Sequence, residues 1–298
     1  MIDLLFKWSF ESISKIFLDR NMAFCPAHEQ APEKDEIVKA TTELISQSNE
    51  MNIASPIWKV FPALAPWLKP IHKNTDIIYH AIQKYTNEAI DEIKAGKRDT
   101  DPNSKSIIKK FLENPKVTKE IIDTVAFDGI LAGIDTTAVT VGFLLYNLST
   151  YPDVQEKLHQ EILTVCGNEK PPTAEDIGKM KYLRACMRES HRLTPTVSGS
   201  TRTLEVCSTQ NFSQDKHIKV VFLFQSDVVC SGFEIPAKTQ IIMSWYTTNY
   251  MEEYFQEPKS FKPERFLRGS GLVDPFASIP FGHGKILKLL QQDSYKYN

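Results

Sequence analysis

The chain has 298 residues, 42% of them hydrophobic, with 35 Lys and Arg against 37 Asp and Glu and a formal charge of −2. That length and composition suit one large globular unit or two small ones, and the charge balance carries no signal for nucleic acid or another polyanion. Five cysteines (Cys25, Cys166, Cys186, Cys207 and Cys230) are odd in number and scattered without CxxC or Cys/His ligand spacing, which argues against a disulfide framework and a zinc site.

The N-terminus, Met1-Ile-Asp-Leu-Leu-Phe-Lys-Trp8, has neither the basic start nor the small-residue cleavage pattern of a secretory signal, and it makes a poor transit peptide. No apolar run approaches the roughly 20 residues that span a bilayer; the longest is Val141 to Leu148. Apolar steps at Leu4, Leu5, Trp8, Ile13, Ile16 and Phe17 predict a helix over 3–19. Ile37, Val38, Ala40, Leu44 and Ile45 predict a second over 33–48. Pro26 and Pro32 separate them. The stretch 53–70 carries four prolines among apolar residues, which reads as a partly buried connection or a surface that meets something apolar. A helix over 76–94 follows, with Ile77, Ile78, Ala81, Ile82, Tyr85, Ala89, Ile90 and Ile93 on one face, and then an exposed loop over 95–106.

The long helix after Thr118 is the centre of the chain. Ile121, Ile122, Val125, Ile130, Leu131, Ile134, Val141, Leu144, Leu145 and Leu148 recur at three- and four-residue steps. Thr118 is a candidate cap, with Glu120 and Asp123 in favourable first turns. The pattern breaks at Ala132-Gly133-Ile134-Asp135-Thr136-Thr137. Gly costs about 1 kcal/mol against Ala inside a helix, and Thr hydroxyls bond back to the preceding turn. The break marks either function or a core helix with Gly for close packing and a solvated Asp.

Thr150 is a candidate cap for a helix beginning near Pro152, with Val154, Leu158, Ile162 and Val165 on its core face. Thr173-Ala-Glu-Asp is a weak helix start, and 180–193 is a further helix. Beyond Pro195 the texture turns to β: 198–205 is one strand, and 227–245 reads as two short strands joined by the Pro236-Ala237-Lys238 turn. Glu189 and Arg192 stand at i,i+3, usually surface decoration. Arg265 lies in the aromatic Phe261-Lys-Pro-Glu-Arg-Phe266, where it would clamp a carboxylate. Pro280-Phe281-Gly282-His283-Gly284 is either a ligand loop whose glycines admit close backbone approach or a plain turn.

Taken in order, Ala-Gly-Ile-Asp-Thr-Thr, Glu-Ser-His-Arg, Pro-Glu-Arg-Phe and Pro-Phe-Gly-His-Gly make the chain strongly resemble the cytochrome P450 haem-thiolate monooxygenases, over nearly its whole length. The resemblance implies a mainly α fold with a small β portion, in a single partial domain over 1–298. The central helix would be the family's distal helix, with Asp135 and Thr136 as the acid–alcohol pair of proton delivery and Ala132 and Gly133 beside haem b and dioxygen. Glu189, Arg192 and Arg265 match the family's buried triad; Arg202 matches the strand arginine that meets a haem propionate; Phe281, Gly282, His283 and Gly284 match the haem loop.

The nearest branch is the mitochondrial one of arthropod kind. There Arg184 and Arg188, on one helix face, match positions that dock an acidic, adrenodoxin-like ferredoxin; the bland reading of two such arginines is solvation. The implied activity inserts one oxygen atom of O2 into a lipophilic substrate such as a steroid or xenobiotic, with electrons from NADPH through a reductase and ferredoxin. The implied place is the mitochondrion, at the matrix side of the inner membrane with membrane association, or else the endoplasmic reticulum. Trp58 to Pro70 would border the substrate channel.

Two departures stand against the family pattern. Ile286 holds the place of the family Arg and Lys288 that of the Cys thiolate, and residues 286–298 follow no family pattern. A Lys with pKa near 10 is protonated and does not replace a thiolate. The N-terminal part and the helix after the ligand loop are also expected to be missing, a truncation at both ends. Val206 to Gln225 interrupts a join that the family makes directly, from Leu204-Glu205 to Ser226-Asp227-Val228. A retained intron fits, because Val encodes a GT donor and Phe-Leu-Phe-Gln a pyrimidine tract with an AG acceptor; a genuine loop insertion is the alternative. The chain is therefore expected to be an inactive monooxygenase family member, or alternatively a catalytically dead helical remnant that binds an apolar ligand or a partner.

Overall fold

The computed structural model describes residues 1–18, 32–53, 68–98, 106–168, 170–203, 228–230, 232–236, 239–271, 273–274 and 276–280. They fall into two units, Met1–Gly142 and Phe143–Asn298.

The first unit is helical. It holds α1 (Ile2–Leu18), α2 (Pro32–Ile53), α3 (Leu68–Lys94), α4 (Ile107–Leu112) and the first part of α5 (Lys119–Thr150). Phe6 and Phe10 of α1, Ile37 of α2, Ile82 of α3 and Ile130 and Ile134 of α5 belong to one buried cluster. Each buried side chain of this size contributes about 1.5–3 kcal/mol. Most of the predicted face of α3 is buried, namely Ile78, Ala81, Ile82, Tyr85, Ala89 and Ile90, while Ile77 and Ile93 at its edge are partly buried against the same cluster. Its start differs: α3 begins at Leu68 rather than near Asp76, because Pro70 falls in the first turn, where its missing N–H costs no helical bond. The rest of the predicted Pro-rich connection, 54–67, lies outside the described residues.

α5 runs without interruption from Lys119 to Thr150, so Gly133 is not a break in the helix. Thr118 Oγ1 accepts from the Ile121 amide at 3.5 Å, a weak cap. Asp123, expected to favour the helix dipole, is instead buried. It accepts from Thr86 Oγ1 of α3 at 2.6 Å and pairs with Lys119 at 2.5 Å. By length and composition α5 would reach across a bilayer, a test that the core helix of a soluble protein also passes. The expectation that no stretch approaches that length holds for uninterrupted apolar runs but not for the helix as a whole.

The second unit contains α6 (Pro152–Cys166), α7 (Ala174–Lys179), α8 (Lys181–Leu193), α9 (Trp245–Asn249), a 3-10 turn over Pro263–Phe266 and four short strands. Tyr151, not Thr150, caps α6; Thr150 ends α5 and returns its hydroxyl to the Tyr146 carbonyl. The weak start at Thr173 is a complete capping box with Asp176. β1 (Ser200–Thr203) pairs antiparallel with β4 (Gln240–Met243), Ser200 opposite Met243. β2 (Val228–Cys230) pairs with β3 (Phe233–Ile235), Val228 opposite Ile235. The predicted pair of strands is thus three, and the hairpin turns before Phe233, at Gly232 with φ +85°. The Pro236 turn, closed by the Thr239 amide on the Pro236 carbonyl, carries the chain from one sheet to the other. Residues 206–225 and 286–298 lie outside the described residues.

Candidate functional site

In the second unit the charged residues converge on Glu189. Its carboxylate accepts Arg192 Nε and Nη2, both at 2.9 Å, in a bidentate pair. It also accepts Arg265 Nε at 3.0 Å and the Lys262 amide at 2.9 Å. Arg192 donates onward to the carbonyls of Asn249 and Ser260, and Arg265 to those of Gln256 and Glu257. The Arg192 guanidinium stacks 4.9 Å from the Phe255 ring centroid. Glu189 is 0%, Arg192 1% and Arg265 4% exposed, so the surface reading of the Glu189–Arg192 pair does not hold. Burying three charges is costly unless every donor and acceptor is met, and here one carboxylate serves four donors.

α8 itself is held by a residue that sequence reasoning missed. Met180 provides no side-chain cap; the Glu161 carboxylate of α6 accepts the amides of Tyr182 and Leu183 at 2.7 and 2.9 Å. A capping acid 21 residues away leaves no local sequence signal. Arg184 and Arg188 are exposed on one face of α8. Arg184 donates to the Gly178 carbonyl at 2.5 Å, and Arg188 lies over Phe266 at 5.5 Å. A small cleft beside the triad is lined by His191, Trp245, Asn249 and Ser278, among others. Burial lowers the His191 imidazole below its ordinary value. Arg202 sits on β1 opposite Ile241, a statement of backbone register alone. Phe281, Gly282, His283, Gly284 and Lys288 lie outside the described residues.

In the first unit α1 packs against the Gly-x-Asp-Thr stretch of α5. A Cβ on Gly133 would stand 2.6 Å from Cγ1 and Cδ1 of Ile13, and one on Gly129 would enter the Phe17 ring. The space at Gly133 that the resemblance assigns to dioxygen is, on this side of the helix, filled by Ile13; the packing role left open in the sequence is the one observed. Ala132 and Thr136 are exposed. The Thr136 hydroxyl donates to the Ala132 carbonyl at 2.7 Å, so its one proton is committed to the backbone and not to Asp135.

Asp135 is half-buried, and burial raises its carboxyl above the ordinary 3.8. A folded value above the unfolded one means that stability from this group is full below pH 3.8 and is lost as pH rises through the folded value. Asp135→Asn is therefore expected to raise Tm modestly at neutral pH and to leave it unchanged in acid. Thermal melts at the two pH values check this; a variant less stable than wild type at neutral pH would contradict it.

Haem needs an axial thiolate in this fold family. Among the described residues Cys186 is buried beside Tyr182 and Leu158, and burial pushes its thiol up to about 12, so it stays protonated. Lys288, which the resemblance is expected to put at the ligand place, lies outside the described residues; an ammonium there would have no lone pair to give. Among the described residues the buried, protonated Cys186 does not fit the group. Among the described residues no cluster of three His, Cys, Asp or Glu could hold a metal ion either.

The family profile described as Cytochrome P450 matches residues 1–285. Similar proteins include "Probable cytochrome P450 12a5, mitochondrial" of Drosophila melanogaster, 28% identical over 95% of this chain and 51% of its own length. "Cytochrome P450 CYP12A2" of Musca domestica is 29% identical over 93% of the chain and 50% of its own length. "Sterol 26-hydroxylase, mitochondrial" of Mus musculus is 28% identical over 95% and 50%. The chain spans about half the length of the curated relatives it matches.

Proposed function

The chain belongs to the cytochrome P450 family, and from that membership we propose that it represents about half of a haem-dependent monooxygenase that inserts oxygen from O2 into a lipophilic substrate, a steroid or a xenobiotic. The observation that carries the reading is the buried Glu189–Arg192–Arg265 network, which joins two motifs 76 residues apart. The names of the relatives, several mitochondrial and one a sterol hydroxylase, support a lipophilic substrate and a mitochondrial place; the matrix side of the inner membrane is a further part of the proposal. The exposed Arg184 and Arg188 suit electrostatic docking of an acidic, adrenodoxin-like ferredoxin.

When bound through a thiolate, haem b supplies oxygen activation. The chain's own contribution is a raised carboxyl at Asp135, which holds a proton more readily than an exposed aspartate, next to the Thr136 hydroxyl. With Lys288 at the ligand place, the chain as written does not form the thiolate complex. The test is to express the full chain, add haemin, reduce it under CO and record the spectrum. No thiolate-type ferrous–CO band is expected; a normal one would overturn the reading that this chain lacks the thiolate ligand. We also propose that 206–225 is a retained intron. Transcripts that join Leu204-Glu205 directly to Ser226-Asp227 are expected, and in-frame exon coverage of the segment across related transcripts would refute it.

A further inference from the structure

α1 does more than cover α5. Ser9, Ile13 and Phe17 follow at four-residue steps and so share one helix face. All three meet the stretch 129–134 of α5. Ser9 is 1% exposed, and its hydroxyl lies 2.7 Å from the Ile134 carbonyl and 3.1 Å from that of Gly133. A helical serine commonly returns its proton to its own helix, as Ser12 does to Trp8; Ser9 instead reaches across to α5.

The Ile134 carbonyl and the Asp135 amide belong to one planar peptide unit, and the Gly133 carbonyl to the unit before it. One hydroxyl proton shared between them, chiefly on the Ile134 carbonyl at 2.7 Å, steadies the two planes that lead into Asp135, and with them the direction of its Cα–Cβ bond. The Thr136 hydroxyl holds the Ala132 carbonyl in the same way from within the helix. Each carbonyl has a second lone pair, so these contacts add to the helical ladder without replacing it. Three consecutive carbonyls at the Gly-x-Asp-Thr stretch are thus held by side chains, two of them from a helix more than 120 residues away.

We propose that Ser9 is a positioning residue for the Asp135–Thr136 pair: its hydroxyl, donated across to the Ile134 and Gly133 carbonyls, sets the backbone that aims both side chains. The assignment rests on the oxygen-activation reading of that pair, while the hydrogen-bond geometry stands without it. Burial alone raises the Asp135 carboxyl, with no charged side chain contributing, so its titration reports how the side chain is aimed between protein and water.

The test uses the full chain, labelled with 13C at aspartate carboxyls, the Asp135 signal being assigned by its loss in Asp135→Asn. Ser9→Ala is expected to lower the Asp135 midpoint by about half a pH unit, roughly a threefold loss of proton affinity. Ser9→Thr, which keeps the hydroxyl, is expected to restore it. Ile37→Ala, a buried change on α2, is expected to lower Tm more than Ser9→Ala does and to leave the midpoint in place. An unchanged midpoint in Ser9→Ala, or an equal shift in Ile37→Ala, overturns the proposal. Should Ser9→Ala fail to fold, Ser9→Cys, a weak donor, is compared with Ser9→Thr on the same readout. The measurement needs no haem. A normal CO band would overturn the missing-thiolate claim and leave this result standing; failure here would leave that spectrum untouched.

Discussion

Glu189→Ala is expected to cost the second unit about 3–5 kcal/mol, as removing one partner of a buried ionic network does. Two guanidiniums would remain buried, Arg192 at 1% and Arg265 at 4% exposure, with no carboxylate between them. Their onward bonds to the carbonyls of Asn249, Ser260, Gln256 and Glu257 satisfy N–H groups but neutralise no charge. Domains are stable by only about 5–15 kcal/mol, so a large share of the total is at stake. Glu189→Gln keeps the shape and loses the charge, and is expected to fall between Ala and wild type. Replacing all three members with apolar residues of similar volume removes every unpaired charge at once and is expected to cost less than Glu189→Ala alone. Urea and thermal melts followed by circular dichroism measure all three. A Glu189→Ala melt within about 1 kcal/mol of wild type would mean that the arginines find water, against their burial.

Gly133→Ala pits two effects against each other. Ala gains about 1 kcal/mol in helix propensity. Its Cβ, however, would stand 2.6 Å from Ile13 Cγ1, and β-branched Ile has few other rotamers to escape into. Overpacking of this kind costs about 1–3 kcal/mol, so the net expectation is a loss of about 1–2 kcal/mol. The partner change identifies the cause. Ile13→Ala alone opens a cavity, but in combination with Gly133→Ala it removes the clash, and the pair is expected to show a favourable coupling of about 1–2 kcal/mol. A neutral or stabilising Gly133→Ala would mean that α1 does not grip α5 here. The result separates the packing role of the glycine from a role beside dioxygen, since the readout is stability alone.

The sequence was most legible where the signal is local. The apolar face of α3 follows from 3.6-residue periodicity and is the face that the fold buries. The capping box at Thr173 is written within four residues. It was least legible where partners come from afar. Glu189 and Arg192 look like an ordinary surface pair until Arg265 and the Lys262 amide arrive from 73–76 residues downstream. The expected strand over 198–205 contains β1, but 227–245 holds three strands rather than two, and β4 pairs with β1 while β2 pairs with β3, a choice of partner that local composition does not encode.

By itself the sequence determined the family, because four motifs in fixed order carry that information irrespective of geometry. Only the tertiary structure decided what the central motif does locally. Gly133 and Gly129 admit Ile13 and Phe17, Ser9 holds the carbonyls that lead into Asp135, and the helix stays continuous through the apparent break. Those contacts join residues more than 110 positions apart, and close packing between distant segments depends on which faces meet, which no local pattern specifies.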